Sequence, residues 1–233
     1  VNIIKRKGIL LAGGMGSRLH PLTKAVSKQL LPVFDKPMIY YSLTTLMLAN
    51  IRNILLIVKQ QDLSAFIALL GDGSQWGINI EYAIQKEPNG IAEALLIGED
   101  FIGNQNCALA LGDNIFHSAG FSKTLVENSQ RQNGATIFCK TLADPRPYGV
   151  LHLDNKGNPK AIIEKPQKIE SKLAVTGLYF YDNTASDRAK ELVPSKRGEI
   201  EISELNQTYI DDGTMTFVEL GRGSFWFDAG DFD

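Results

Sequence analysis

Three glycines, Gly13, Gly14 and Gly16, fall within four positions, and Arg18 and Lys28 follow shortly after. Backbone without Cβ atoms can approach a ligand closely. Arg18 offers a fork of donors matched to phosphate oxygens, and Lys28 adds a mobile point charge. These types at this spacing describe a cradle for phosphate. It is not a Walker loop, because no glycine is followed by Lys and then Ser or Thr at the G-x-x-x-x-G-K-[ST] spacing. Nor is it the dinucleotide fingerprint: Gly14-Met15-Gly16-Ser17-Arg18-Leu19 ends in Leu, and Pro21 biases His20 away from helix. On the glycines alone the stretch is equally a turn between strand and helix. Arg18 and Lys28 tilt it towards phosphate.

A second set of candidates is acidic. The apolar run 108–111 leads into Gly112-Asp113-Asn114, which puts a carboxylate at the carboxyl end of a strand, close to where the glycine loop brings phosphates. Mg²⁺ takes one or two carboxylates and completes its octahedron with water and phosphate oxygens, so Asp113 suits that ion. Asp228, in Trp226-Phe227-Asp228-Ala229-Gly230, stands at another strand end and is unremarkable by itself. Gln85 closes the segment 78–84 and precedes Lys86-Glu87-Pro88-Asn89-Gly90. Ligands of open α/β sheets gather at the carboxyl ends of strands, which puts Gln85 and Gly90 within reach of one. A loop that merely needs a positive φ at Gly90 reads the same way. Glu164 and Lys165 end a strand-like run, where such residues are commonly a solvated pair.

Positioning these groups takes alternating strands and helices. The run 8–12 has strand length, and Pro37, with Asp35 upstream, introduces a helix over 38–49. A buried strand over 53–58, a helix over 62–70, a strand over 78–84 and a helix over 91–101 follow. Beyond Asp113, 121–130 reads as helix and 134–142 as strand. A hairpin of 150–153 and 160–166 turns at Asp154-Asn155-Lys156-Gly157. Helices over 182–192 and 203–212 and a strand over 215–220 complete the pattern. The alternation predicts an α/β chain with a mostly parallel, mixed central sheet flanked by helices and a small β-hairpin region. Neither internal repeats nor a linker divide it, so one domain over 1–233 is expected.

Composition narrows the partners. The 233 residues are 44% hydrophobic and 21% charged, with a formal net charge of −2. That balance offers no basic field for nucleic acid, and phosphate affinity must come from a local cluster. Cys107 and Cys139 sit in apolar segments without C-x-x-C spacing and read as buried reduced thiols, while His20, His117 and His152 lack metal-ligand spacing. No run approaches a membrane span and no signal-peptide pattern opens the chain, so no membrane partner and a cytoplasmic location are expected.

The stretch from Gly8 to Tyr41, with Gly13-Gly14-Met15-Gly16-Ser17-Arg18-Leu19 and Lys28-Gln29-Leu30-Leu31-Pro32-Val33-Phe34-Asp35-Lys36-Pro37-Met38-Ile39-Tyr40-Tyr41, closely resembles the sugar-1-phosphate nucleotidylyltransferases. The resemblance runs through essentially the whole chain. It departs at Ser17, where the family usually has Thr, and at Phe227 and Ala229, where Leu and Thr are usual. It implies a Rossmann-like nucleotide-diphospho-sugar transferase fold, with a nucleotide-binding part at about 1–115 and a sugar-binding part at about 116–233. Within the family the chain is most similar to members that join dTTP to glucose 1-phosphate. This implies formation of dTDP-glucose, the first step towards dTDP-rhamnose and related deoxysugars, with UTP or another sugar 1-phosphate as the alternative.

By the same resemblance Leu11, Gly13, Gly14, Gly16, Ser17, Arg18, Lys28, Gln85 and Gly90 hold the nucleotide, and Gln85 and the backbone near Gly90 read the pyrimidine. Tyr148, Gly149, Glu164, Lys165 and Val175 form the sugar pocket, helped by Ala174, Thr176, Gly177 and Tyr179. The implied catalytic set is Arg18, Lys28, Asp113, Lys165 and Asp228, with Asp113 and Asp228 as Mg²⁺ ligands. The implied partners are the two substrates and further copies of the chain in a homotetramer. By the same resemblance, the family's further, largely helical carboxyl-terminal segment is expected to be absent from this sequence. A glycosyltransferase is the nearest enzymatic rival, but its Asp-x-Asp motif is not evident. A binding or regulatory homologue without turnover is the other reading, against which the presence of all five charged residues argues.

Overall fold

The computed structural model describes residues 5–14 and 16–230; Met15 of the glycine loop and residues 231–233 lie outside the described residues. In chain order the first elements are β1 (Lys7–Leu11), β2 (Pro32–Val33), β3 (Lys36–Pro37), α1 (Ile39–Leu48), β4 (Asn53–Val58), α2 (Leu63–Leu70) and β5 (Asn79–Ile84). After them come α3 (Glu93–Ile97), α4 (Glu99–Ile102), β6 (Cys107–Leu111), β7 (Asn114–His117), α5 (Phe121–Ser129) and β8 (Ala135–Thr141). The last are β9 (Gly149–Leu153), β10 (Pro159–Glu164), β11 (Leu173–Tyr181), α6 (Ala185–Lys190), α7 (Ile202–Asp211), β12 (Met215–Glu219) and β13 (Phe225–Asp228).

The main sheet runs β10-β9-β11-β6-β1-β4-β5, with β8 against β11 and β12 against β8. Strands β6, β1, β4 and β5 are all parallel, in register at Leu11 with Leu111 and Ile57. Antiparallel pairing enters with β11, which meets β6, β8 and β9, and with the β9–β10 hairpin. A parallel strand is covered on both faces, which is why 8–12 and 53–58 read as continuous apolar runs. Leu10 and Leu56 pack on one side with Leu46, Phe66 and Phe180, while Ile9 and Leu55 pack on the other with Leu95, Leu205 and Tyr209. No helix among the described residues is long and apolar enough to cross a membrane.

Three local expectations are corrected. Pro37 does not open the helix; it closes a small β2–β3 hairpin opposite Pro32, turning through a left-handed Phe34, and α1 begins at Ile39. The helix expected over 91–101 is two short ones broken at Gly98. A side chain there would meet Ile9 Cδ1 at 2.9 Å, so the break lets the backbone lie directly on the sheet. The third concerns residues 114–117, which carry no strand expectation after Asp113. They form β7, which pairs antiparallel with β13 in a separate two-stranded ribbon.

Candidate active site

A cleft of about 490 Å³ opens at the carboxyl ends of β1 and β6 and runs towards the β9–β10 hairpin. Leu11, Gly14, Arg18, Lys28, Asp113, Tyr148, Gly149, Glu164, Lys165, Val175 and Asp228 line it. Among the expected site residues, Gly13, Gly16, Ser17, Gln85, Gly90 and Ala174 lie outside that lining.

The loop's conformation explains its glycines unequally. Gly16 is left-handed at φ 61°, and its carbonyl accepts from Thr23 Oγ1 at 2.6 Å. Ser17–Leu19 then form one 3₁₀ turn, which puts Arg18 on the cleft. A Cβ on Gly13 would stand 2.1 Å from Gln85 Oε1, so a side chain here would have to displace the Gln85 amide that follows β5. Among the described residues, a Cβ on Gly14 would meet only Lys28, with Cε at 3.7 Å.

The charged cluster is drawn from both ends of the chain. Lys28, buried at the start of another 3₁₀ turn, forms a close ion pair with Asp113. Asp228 ends β13, and the next residue binds its backbone N–H to the Asp113 carbonyl at 2.9 Å. The Cβ position of Gly230 marks where the groups converge: Asp228 Oδ1 lies 3.1 Å, Arg18 Nη2 3.3 Å and Lys28 Nζ 3.6 Å from it. Burial, and next the charge of Asp113, push the Asp228 carboxyl up to about 6, against the pull of Lys28 and Arg18.

Asn114 fastens this arrangement, a role sequence reasoning missed. Its Oδ1 accepts from Gly177 N–H at 2.9 Å and from Trp226 Nε1–H at 2.6 Å, and its Nδ2 donates to Asp113 Oδ1 at 3.1 Å. One side chain thus ties β7, β11 and β13 to the acidic pair. Gly177 is required, since a Cβ there would lie 2.7 Å from Asn114 Cγ.

At the other end of the cleft, Tyr148 packs against Trp226 with ring centroids 4.9 Å apart. Gly149 leaves room beside Glu164, whose Oε2 would be 3.1 Å from a Cβ. The Glu164 carboxyl is raised by burial and then by Glu201, with Lys165 and Arg197 opposing. Lys165 has φ 45°, unusual for a residue with a side chain, and its N–H bonds the Tyr148 carbonyl at 3.0 Å. The half-buried Glu164 side chain and the Lys165 backbone are therefore held in place, while the Lys165 side chain is exposed. Arg197, which sequence reasoning passed over, approaches Glu164 at 3.7 Å and binds Glu201 at 2.8 Å. Gln85, also buried, donates from Nε2 to Glu93 Oε2 at 2.7 Å, and Gly90, at φ 107°, lies against the Ile200 backbone.

Known proteins match this chain over nearly its whole length. The family described as "Nucleotidyl transferase" matches residues 7–233. Glucose-1-phosphate thymidylyltransferase of Xanthomonas campestris pv. campestris (strain B100) is 55% identical over 226 residues, 97% of this chain and 77% of that protein. The same-named protein of Neisseria gonorrhoeae is 54% identical over 224 residues, 96% of this chain and 78% of that one. A solved structure from Bacillus anthracis, provisionally assigned as a glucose-1-phosphate thymidylyltransferase and holding sucrose, superposes with a TM-score of 0.90 at 39% identity, covering 97% of this chain and 91% of that one. UDP-glucose pyrophosphorylase with UDP-glucose reaches 0.84 at 24% identity, covering 98% and 94%, a likeness of fold.

Proposed function

The chain belongs to the nucleotidyl transferase family, and from that premise we propose that it joins dTTP to glucose 1-phosphate, releasing pyrophosphate and forming dTDP-glucose for dTDP-sugar biosynthesis, dTDP-rhamnose included. A phosphate oxygen of glucose 1-phosphate attacks the α-phosphorus of dTTP, and the bond to the bridging oxygen of the departing pyrophosphate breaks. No general base is needed, because a phosphate monoester with a second pKa of about 6 is largely dianionic at neutral pH. The work left to the protein is alignment and charge neutralisation. The observation that carries this reading is the convergence of Arg18, Lys28 and Asp228 on one point of a cleft whose far end holds Glu164 and Lys165.

In this reading Arg18 meets the triphosphate and the charge redistributed at the α-phosphorus, and Lys28 meets the phosphates. Lys165 binds the sugar phosphate, Glu164 the sugar hydroxyls, and Tyr148, Gly149 and Val175 shape the sugar pocket. Leu11, Gly13, Gly14, Gly16 and Ser17 supply close backbone for the nucleotide, and Gln85 with the Gly90 backbone reads the base. Residues of about 1–115 hold the nucleotide and 116–233 the sugar, within one catalytic domain.

Asp113 and Asp228 form an all-oxygen pair beside Arg18 and Lys28, with no cluster of three His, Cys, Asp or Glu among the described residues. That donor set suits Mg²⁺, which accepts few protein ligands and fills the rest with phosphate oxygens and water. Bound there, Mg²⁺ would neutralise phosphate charge. A cytoplasmic homo-oligomer, tetrameric by family resemblance, belongs to the same proposal.

The test is pyrophosphate release, coupled through pyrophosphatase, for a panel of nucleoside triphosphates and sugar 1-phosphates. The highest kcat/KM is expected for dTTP with glucose 1-phosphate. UTP should follow, because the missing 5-methyl is worth roughly 1 to 3 kcal/mol. Failure of every pair to turn over would overturn the proposal.

A further inference from the structure

We propose that Glu93 is a specificity-determining positioning residue: it fixes the donor–acceptor order of the Gln85 amide and thereby lets the site reject cytosine nucleotides. The inference rests on Gln85 reading the pyrimidine. Gln85 is 4% exposed and so has little water to satisfy either end of its amide. Its Nε2 donates to Glu93 Oε2 at 2.7 Å, and the other carboxylate oxygen of Glu93 accepts from Asn89 Nδ2 at 2.9 Å. Glu93 is therefore held from two sides. Gln85 Oε1 lies on the glycine-loop side, 2.1 Å from where a Cβ of Gly13 would stand.

A carboxylate can only accept, so it selects between the two orientations an amide could otherwise take. Turned over, Gln85 would set its Oε1 against Glu93 Oε2, two acceptors with no proton between them in a buried place, and its nitrogen would lose a partner. In the observed orientation Glu93 takes one amide hydrogen. With Glu93 on the hydrogen trans to Oε1, the second hydrogen lies beside Oε1 and forms an edge that donates and accepts side by side.

Thymine and uracil present O4, an acceptor, next to N3–H, a donor, which complements that edge. Cytosine presents an amino donor next to an unprotonated N3, so a fixed Gln85 meets donor with donor and acceptor with acceptor. A free amide would simply flip and read either base. The discrimination thus belongs to Glu93 as much as to the residue that touches the base.

The experiment measures kcat/KM for dTTP and dCTP with saturating glucose 1-phosphate in the parent chain, Glu93→Gln and Gln85→Ala. Glutamine at 93 keeps the size but can donate or accept, so it tolerates both orientations of Gln85. We expect the dTTP-to-dCTP ratio to fall about tenfold or more in Glu93→Gln, the worth of roughly one hydrogen bond, with KM for glucose 1-phosphate unchanged. Both nucleotides are read on one preparation, so a partly unfolded variant lowers both rates and leaves the ratio intact. An unchanged ratio in Glu93→Gln beside a collapsed ratio in Gln85→Ala overturns the role of Glu93. An unchanged ratio in Gln85→Ala overturns Gln85 as base reader.

Discussion

The Asp228 carboxyl lies in a partly buried corner where Asp113 opposes its charge and Lys28 and Arg18 relieve it only in part. Such a group is poorly suited to holding the fold together and well suited to holding a cation. Asp113→Asn and Asp228→Asn should each lower kcat by about a hundredfold or more while leaving the thermal midpoint near the parent's, and added Mg²⁺ should not restore the rate. Normal turnover of either variant at limiting Mg²⁺ would sink the metal assignment. At this scale much of the site was legible in the sequence. Arg18, Lys28 and Asp113 stand out because each follows a glycine loop or ends an apolar run, whereas Glu164 read locally as one of a solvated pair and entered the site only by resemblance. Asn114 and Glu93 did not, because their importance lies in partners brought together by folding: Asn114 holds Trp226 across more than a hundred residues, and Glu93 acts on Gln85 through a hydrogen bond.

Elements were legible wherever hydrophobic period and length agreed, as in β1, β4 and β8, and their partners were not. Nothing in Asn114-Ile115-Phe116-His117 says that it will pair with Phe225–Asp228, and the Gly98 break is invisible without the Ile9 side chain beneath it. Gly90 offers a test at this level. A Cβ there would stand 2.4 Å from the Ile200 carbonyl oxygen, and φ 107° disfavours any side chain. Ile200 in turn donates its N–H to the Asn89 carbonyl at 2.6 Å, so the loop after β5 and the segment leading into α7 are locked together. Gly90→Ala should therefore cost on the order of 2 kcal/mol of stability and raise KM for dTTP. Thermal unfolding and initial rates check this, and an unperturbed variant would show that the two segments are not rigidly coupled.

Across the whole molecule, β11 keeps the two cysteines apart. It pairs Cys139 with Val175 on one side and Cys107 with Tyr181 on the other, six residues further along, or about 20 Å of strand, too far for a disulfide. Both thiols are free and buried, and burial pushes Cys107 from 9.0 up to about 12 and raises Cys139 as well. A raised thiol contributes stability that is whole below its unfolded pKa near 9 and is lost as pH climbs towards the folded value. The melting temperature should accordingly fall between pH 9 and 11, less steeply in Cys107→Ala. A thiol-specific chromogenic reagent should react with neither cysteine in the native protein at pH 8 and with both in denaturant. Native-state labelling would show that the sheet opens far more readily than its packing implies.

The ribbon that carries Asp228 gives the molecule an order in time. Arg18 and Lys28 leave the ribosome early, Asp113 midway, and Asp228 only when almost all of the described chain has been made. The large sheet does not include β13, whose sole strand partner among the described residues is β7. A nascent chain can therefore lay down most of its sheet while the acidic pair is still half missing. With Asp228 in the role proposed for it, turnover waits on the docking of β13, and a fragment that ends before Phe225 should consume no nucleoside triphosphate.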